Sequence, residues 1–277
     1  MTTINVRGTA VPRFLYGTAW KEERTEALVS QAVAAGFIGI DTANQRKHYF
    51  EAGVGAAIAK LDPAMRDGLF LQTKFTHRGG QDHRLPYDPA AAFPDQVRQS
   101  FASSLEHLGV ERLDSLILHG PELRDGLSRG DREIWRTFEE LQAEGRVALL
   151  GISNVSAAQL EELCRFAEIP PAFVQNRCYA RHGWDRKVRE VCRAEGVVYQ
   201  GFSLLTANSA ELRRRPLLDV AERHRKTPEQ IVFAFARTLG MIRLTGSSDP
   251  VHLRQDLESD AIELADEEVA AIEAISG

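Results

Sequence analysis

Residues 39–55 read Gly39-Ile40-Asp41-Thr42-Ala43-Asn44-Gln45-Arg46-Lys47-His48-Tyr49-Phe50-Glu51-Ala52-Gly53-Val54-Gly55. A short apolar run, residues 37–40, stops at a carboxylate, Asp41. A polar loop follows and delivers His48 and Tyr49. Then Val54, Ala57, Ile58 and Leu61 recur at helical spacing on one face. A buried strand ending in a charge, then a loop, then a helix is how barrel enzymes bring chemistry to the carboxyl ends of their strands. Taken alone, Asp41 suits a turn or helix cap equally well. The rest of the chain decides.

The same unit repeats. Short apolar runs lie at 14–16, 37–40, 69–72, 113–118, 147–152, 172–174, 197–201 and 241–244. Runs apolar on both faces suit parallel strands covered by helices. Helical patterns separate them. Residues 23–35 stop at Gly36, and 94–108 carry Val97, Phe101, Leu105 and Leu108 before Gly109. Residues 132–144 and 185–195 stop at Gly145 and Gly196, the expected left-handed caps. Ser156 with Gln159, and Thr227-Pro228-Glu229-Gln230, are capping-box starts. A helix near 217–224 and another over 266–275 complete the series, and residues 3–13 suggest a small hairpin around Gly8. Eight strands alternating with helices predict an α/β fold, a single-domain (β/α)8 TIM barrel over 1–277. A doubly wound sheet fits less well, because no G-x-G-x-x-G follows the first strand.

Size and composition agree. The chain has 277 residues, and one such barrel needs about 250. A net charge of −5 gives no broad basic surface, so neither nucleic acid nor a membrane is an expected partner. Arg213-Arg214-Arg215 reads as a solvated loop or helix end. Cys164, Cys178 and Cys192 lack metal spacing, and Cys164 and Cys192 fall on helical faces, which predicts buried free thiols. With no secretory segment, a cytoplasmic location is expected, as a monomer or weak oligomer.

The runs terminate in Asp41, Lys74, His119, Ser153-Asn154, Gln175-Asn176, Ser203 and Thr245-Gly246-Ser247. Each delivers a polar group to one rim. A purely structural barrel has no need of a lysine there, since lysine is rarely buried unless paired. Asp41 and Lys74, on adjacent strand ends, can pair.

At this point the sequence resembles the aldo-keto reductase family across nearly its whole length. The resemblance rests on Gly17-Thr18-Ala19-Trp20, Asp41-Thr42-Ala43 through Val54-Gly55, Thr73-Lys74, Leu118-His119-Gly120-Pro121 and Gly151-Ile152-Ser153-Asn154, with Gln175-Asn176 and Thr245-Gly246-Ser247. It implies an NAD(P)H-dependent oxidoreductase that reduces an aldehyde or ketone, with NADP(H), or else NAD(H), as cofactor and a small carbonyl compound as substrate. The family's catalytic group is Asp, Tyr, Lys and His. Asp41, Lys74 and His119 match by motif. The tyrosine position is displaced: five residues after the Asp stands Arg46, and counting back from Val54-Gly55 reaches His48 or Tyr49. Tyr49 is favoured because a phenol is what proton donation needs. Its ordinary pKa is about 10, and a neighbouring Lys74 ammonium, held by Asp41, is expected to lower it. His119 is expected to orient the carbonyl. The histidines lack ligand spacing, so no metal is implied.

The resemblance also implies that Ser153, Asn154 and Gln175 hold the cofactor's carboxamide, with Phe202 as stacking aromatic. Thr18, Ser203, Thr245, Gly246, Ser247, Ser248, His252 and Asp256 are further cofactor candidates. The basic residues that commonly hold the 2′-phosphate are replaced by Gly246 and His252, which leaves NADP against NAD open. Trp20, His48 and Tyr87 are candidate pocket residues. The long C-terminal tail that closes the substrate pocket in some family members is absent after the 266–275 helix, so segment 77–93 and the loop after His119 are expected to do more of that work. Two other classes remain: a Schiff-base lyase using Lys74, and a non-catalytic nucleotide sensor.

Overall fold

In the computed structural model, which describes residues 2–276, the eight apolar runs are eight parallel strands joined edge to edge in a ring. An antiparallel pair comes first, β1 (Thr3–Val6) and β2 (Thr9–Pro12). There follow β3 (Phe14–Gly17), α1 (Thr25–Ala35), β4 (Gly39–Asp41), α2 (Glu51–Ala59), α3 (Pro63–Asp67), β5 (Phe70–Phe75) and α4 (Phe93–Leu108). Next are β6 (Leu113–Leu118), α5 (Arg129–Ala143), β7 (Val147–Ser153), α6 (Ala157–Phe166), β8 (Phe173–Arg177), α7 (Arg186–Glu195) and β9 (Val198–Phe202). The last are α8 (Arg215–His224), α9 (Pro228–Thr238), β10 (Ile242–Thr245), α10 (Pro250–Glu258) and α11 (Asp266–Glu273). β10 closes the ring: Arg243 lies opposite both Phe14 of β3 and Gly201 of β9.

Two apolar bodies hold this together. Outside the ring, helix stripes pack on the outward strand residues. On α4 the stripe is Val97, Phe101, Leu105 and Leu108, all buried, and Gly109 ends the helix at φ 68. Inside the ring, Leu15, Phe70, Ile117, Leu149, Phe173 and Ile242 fill the lower interior. Val6 and Val11 of the hairpin join that cluster, next to residues at the starts of strands. The hairpin therefore plugs the amino-terminal end, and the other end is left for chemistry. The capping boxes of Ser156 with Gln159 and Thr227 with Gln230 both form, each cap contributing about 0.5–2 kcal/mol.

The elements differ from the sequence reading in a few places. The helix expected from 23 starts as a 3-10 turn, Glu22–Arg24, and becomes α-helical at Thr25. Two short helices, α3 and α10, carry a signal that was available: Asp62-Pro63 and Asp249-Pro250, each an acid accepting from backbone N–H groups ahead of a first-turn proline. β5 and β8 run on past their apolar cores, because Lys74 pairs across to Ile117 and Gln175 to Gln200. Arg213, Arg214 and Arg215 are exposed around the start of α8. The cysteines are unpaired; Cys178 and Cys192 are buried, while Cys164 is only partly so. Among the described residues no helix is long and apolar enough to cross a membrane.

Candidate active site

Side chains two apart on a strand share a face. On β5 this puts Gln72 and Lys74 inside the ring, beside Asp41 at the end of β4. The Lys74 ammonium, 1% exposed, donates to Asp41 Oδ1 at 2.7 Å, to Asp41 Oδ2 at 2.6 Å and to the Thr42 carbonyl at 2.7 Å. An ammonium has three N–H groups, and all three are taken. The Thr18 hydroxyl and backbone N–H both donate to the Asp41 carbonyl, at 3.1 and 3.0 Å, which fixes that strand end.

The loop after Asp41 turns at Gln45, whose carbonyl accepts from His48 N and Tyr49 N. His48 and Tyr49 then point in different directions. The His48 ring stacks on Trp20 at the rim, centroids 3.9 Å apart, and its carbonyl accepts from Trp20 N at 2.7 Å. The Tyr49 ring turns inward. Its centroid lies 5.3 Å from Lys74 Nζ and 5.8 Å from the His119 ring, edge to face. His119 sits just beyond β6, its Nδ1 2.7 Å from Thr76 Oγ1. That is the one hydrogen bond of the buried Thr76 hydroxyl among the described residues. If Thr76 gives its proton to Nδ1, the neutral ring carries its hydrogen on Nε2.

The electrostatics correct one expectation. The Tyr49 phenol is not acidified. Burial first, and then the Asp41 carboxylate, push its pKa well above the ordinary tyrosine value. Lys74 does not reverse this because its charge is met by Asp41 and its N–H groups are spent. Burial likewise lowers the pKa of Lys74, against the opposing pull of Asp41. His119 falls to about 3, through burial and then the charges of Lys74 and His48. At neutral pH the group therefore presents a neutral phenol and a neutral imidazole above a buried ion pair.

These residues stand at one side of a cleft of about 1010 Å³ across the carboxyl ends of the strands. Asp41, Tyr49, His119, Trp20 and His48 line it, with Lys74 directly beneath. So do Ser153, Asn154, Gln175, Phe202 and Ser203, and further along Thr245, Gly246, Ser247, His252 and Asp256. Three expected residues do not. Thr18 is fully buried against the Asp41 backbone. Ser248 is exposed beyond the cleft, its carbonyl accepting from Gln31. Tyr87 is buried against Phe75, ring centroids 5.4 Å apart, and donates to the Thr76 carbonyl at 2.8 Å. It anchors segment 77–93 and does not line the cleft. The loop after His119 is pinned too, since the Asp131 carboxylate accepts from the backbone N–H of Glu122 and Ser128 and pairs with His77 at 2.8 Å.

The donor set fits a dinucleotide. The cleft is at the upper end of single-ligand pocket volumes, and long polar edges line it. Lys21 and Arg177 line it, and neither pairs with a carboxylate among the described residues. Lys21 donates to the Gly246 carbonyl, and Arg177 lies 5.7 Å from the Phe202 ring. Two unpaired cations suit a diphosphate. A Cβ on Gly246 would come within 3.3 Å of the Gly17 carbonyl and 3.4 Å of Lys21 Nζ, so a side chain there would crowd the floor. Asn154 and Ser203 hold left-handed φ of 55° and 53° at strand ends on the cleft, a strain often kept at binding sites. At the far end Asp256 is hydrogen-bonded to Thr245 at 2.8 Å and is pushed up to about 6 by burial. Gln175 differs from its expected part: its amide nitrogen is spent on Asp41 Oδ1 and Gln200 Oε1, both at 2.9 Å, so only its oxygen is left for a ligand.

Sequence reasoning passed over Thr76, Lys21, Arg177, Gln72 and Gln200. For Gln72 the signal was its spacing of two from Lys74. Thr76 and Arg177 carried only a strand-end position, and Lys21 and Gln200 carried no signal.

The Aldo/keto reductase family model matches residues 13–276. The chain is 28% identical over 271 residues to glyoxal reductase of Bacillus subtilis (strain 168), covering 97% of this chain and 90% of that protein. It is 28% identical over 270 residues to D-galacturonate reductase of Fragaria ananassa, covering 89% and 80%. Among solved structures, an aldo/keto reductase from Brucella melitensis superimposes with a TM-score of 0.82 at 26% identity, covering 99% of this chain and 98% of that one. A variant of Gox0644 in complex with NADPH gives 0.83 at 24% identity, covering 99% and 93%, a likeness of fold.

Proposed function

This chain belongs to the aldo/keto reductase family, and is therefore an oxidoreductase; we propose that it reduces an aldehyde or ketone to an alcohol with a nicotinamide dinucleotide, using Tyr49 as proton donor. One observation carries the reading. A buried, fully hydrogen-bonded Asp41–Lys74 pair lies under Tyr49 and His119 at the mouth of a dinucleotide-sized cleft.

When bound, the nicotinamide supplies a hydride to the carbonyl carbon. The C=O π pair then moves onto oxygen, and Tyr49 gives that oxygen its proton, leaving a phenolate. The raised pKa of Tyr49 keeps the proton in place until charge builds on the substrate. An alkoxide is about as basic as hydroxide and still takes it. His119 is neutral, so its Nε2–H donates to the same oxygen and orients the carbonyl without placing a second cation beside Lys74. Lys74 is the counter-charge for the phenolate, and acts through its field, since its N–H groups are occupied. Asp41 fixes Lys74. The Trp20–His48 stack forms the rim where the substrate enters.

Ser153, Asn154, Gln175, Phe202 and Ser203 are the proposed nicotinamide side, and Thr245, Gly246, Ser247, His252 and Asp256 the adenosine side. Lys21 and Arg177 would meet the diphosphate between them. The relatives' names, a glyoxal reductase and a galacturonate reductase, are in keeping with a small oxygenated carbonyl substrate. A Schiff base on Lys74 is disfavoured, because its nitrogen is 1% exposed and bonded in three directions.

The test is a fluorescence titration with NADPH and NADH, followed by an aldehyde and ketone screen. Both cofactors should bind, NADPH favoured by less than a thousandfold, about 4 kcal/mol, because Gly246 offers no side chain to a 2′-phosphate. Binding of neither would sink the reductase reading. Binding without turnover on any carbonyl would make the protein a nucleotide sensor.

A further inference from the structure

The barrel interior changes character just below the catalytic group. Lower down it is Leu15, Phe70, Ile117, Leu149 and Phe173. Above them lie three glutamines, Gln72, Gln175 and Gln200, each no more than 3% exposed. A barrel built for stability fills such layers with branched apolar residues, and buried amides are costly unless bonded. Here they are bonded to one another and to Asp41.

The strand order makes the arrangement specific. Asp41 on β4 and Gln175 on β8 are four strands apart in a ring of eight, and so are Gln72 on β5 and Gln200 on β9. Each pair faces across the full diameter. Gln72 Nε2 donates to Asp41 Oδ1 at 2.7 Å and to Gln200 Oε1 at 2.9 Å. Gln200 Nε2 returns a bond to Gln72 Oε1 at 3.0 Å. Gln175 Nε2 donates to Asp41 Oδ1 and to Gln200 Oε1, both at 2.9 Å. Asp41 Oδ1 thus accepts from two amides and from Lys74. Such chains of bonds polarise one another in a low-dielectric interior.

We infer that Gln72 and Gln200 are positioning residues for the proton-donating group, holding the Asp41 carboxylate from across the barrel and through it the Lys74 ammonium beneath Tyr49. The kinetic part of this rests on the proposed reductase reading; the geometric part does not. Without Gln72 the carboxylate keeps one amide and is free to tilt, and the ammonium tilts with it. Gln200 acts one step further out. It orients both amides so that their N–H groups point at Asp41, and so that Gln175 turns its oxygen to the cleft.

Two variants, Gln72→Met and Gln200→Met, keep volume and remove the bonds. In carbonyl reduction, Gln72→Met should lower kcat by roughly 10–100-fold, with dinucleotide dissociation constants by fluorescence within about threefold of the parent, because the loss falls on the transition state. The solvent deuterium isotope effect on kcat should rise, since proton delivery becomes the slower event. Gln200→Met should move the same readouts in the same direction by less, and it carries the test if Gln72→Met does not fold. An unchanged isotope effect, or a kcat loss matched by equally weakened cofactor binding, overturns the inference and leaves a packing role. A second arm needs no turnover. The urea midpoints of Gln72→Met, Lys74→Met and the double variant should be non-additive, the double falling by less than the sum. Additive midpoints overturn the link between Gln72 and Lys74. A parent protein that reduces no carbonyl overturns the proposed function, while the midpoints still decide whether this layer holds the ion pair.

Discussion

Lys74→Met probes the centre of the site, and its first effect should be on stability. The side chains of Lys74 and Asp41 are 1% and 4% exposed. Removing the ammonium deletes three hydrogen bonds and leaves a buried carboxylate without its counter-charge. Breaking such a pair from one side costs roughly 3–5 kcal/mol. Gln72 and Gln175 still donate to Asp41 Oδ1, which offsets part of that loss and places the expectation near the lower bound, about 3 kcal/mol. Against a total of roughly 5–15 kcal/mol this is large. At roughly 2–4 °C per kcal/mol for a chain of this size, Tm should fall by about 6–12 °C. Urea unfolding at pH 7, followed by the fluorescence of the buried Trp135 and Trp184, measures it. Asp41→Leu combined with Lys74→Met should cost less than the two changes summed, because neither charge is then stranded. A loss below about 1 kcal/mol, the range of exposed pairs, or strict additivity, would refute the claim that the pair is a desolvated unit. In the folded variant kcat should drop more than dinucleotide affinity.

Tyr49→Phe keeps the ring and removes the hydroxyl; steady-state kcat should fall by roughly 10²–10⁴, the usual worth of a general acid, with cofactor binding retained. His48→Gln should be milder, and the opposite ranking on one substrate would transfer the donor role to His48. His119 is held near 3, below its unfolded value of about 6.5. The unfolded chain therefore binds a proton there that the native chain does not, so this group's contribution to stability is present above 6.5 and is lost as pH falls toward 3. His119→Gln should flatten the stability profile between pH 6.5 and 5, and an unchanged slope would show that His119 titrates normally. A Cβ on Gly55 would lie 1.9 Å from the His107 carbonyl where α2 crosses α4; Gly55→Ala should cost about 1–3 kcal/mol or more in urea unfolding, and a neutral result would mean that the helices separate freely.

The barrel was legible because its signal is repeated. Seven of the eight apolar runs end in a polar residue, and one pattern explains them. Asp41, Lys74 and His119 stand out on the same ground, a charge or imidazole where packing needs none. Which way a strand-end residue faces is less visible. Thr18, Tyr87 and Ser248 occupy suggestive positions, yet Thr18 and Tyr87 turn into the backbone behind the site and Ser248 lies outside the cleft. The direction of the Tyr49 pKa could not be read either. It depends on how deeply the ring is buried and on its nearness to the Asp41 carboxylate, and those follow from the folded packing. Gln200 was hidden for another reason. A glutamine in a strand reads as a surface residue, and only the closure of the ring brings β5 and β9 face to face.

That closure also bears on how the chain is made. β3 is the first barrel strand to leave the ribosome, and its outer edge has no partner until β10 is synthesised, more than two hundred residues later. Until then the growing sheet has two open edges, β3 and the newest strand, each a row of unpaired N–H and C=O groups able to recruit another chain. The last strand arrives with its own fastening: Arg243 is buried, lies 4.5 Å over the Phe14 ring and pairs with Asp260 just beyond α10. A nascent or proteolysed chain that stops at residue 241 would lack only the final seam and three short helical segments. It should nevertheless partition to aggregates, while a chain reaching residue 261 has the residues to seal the ring.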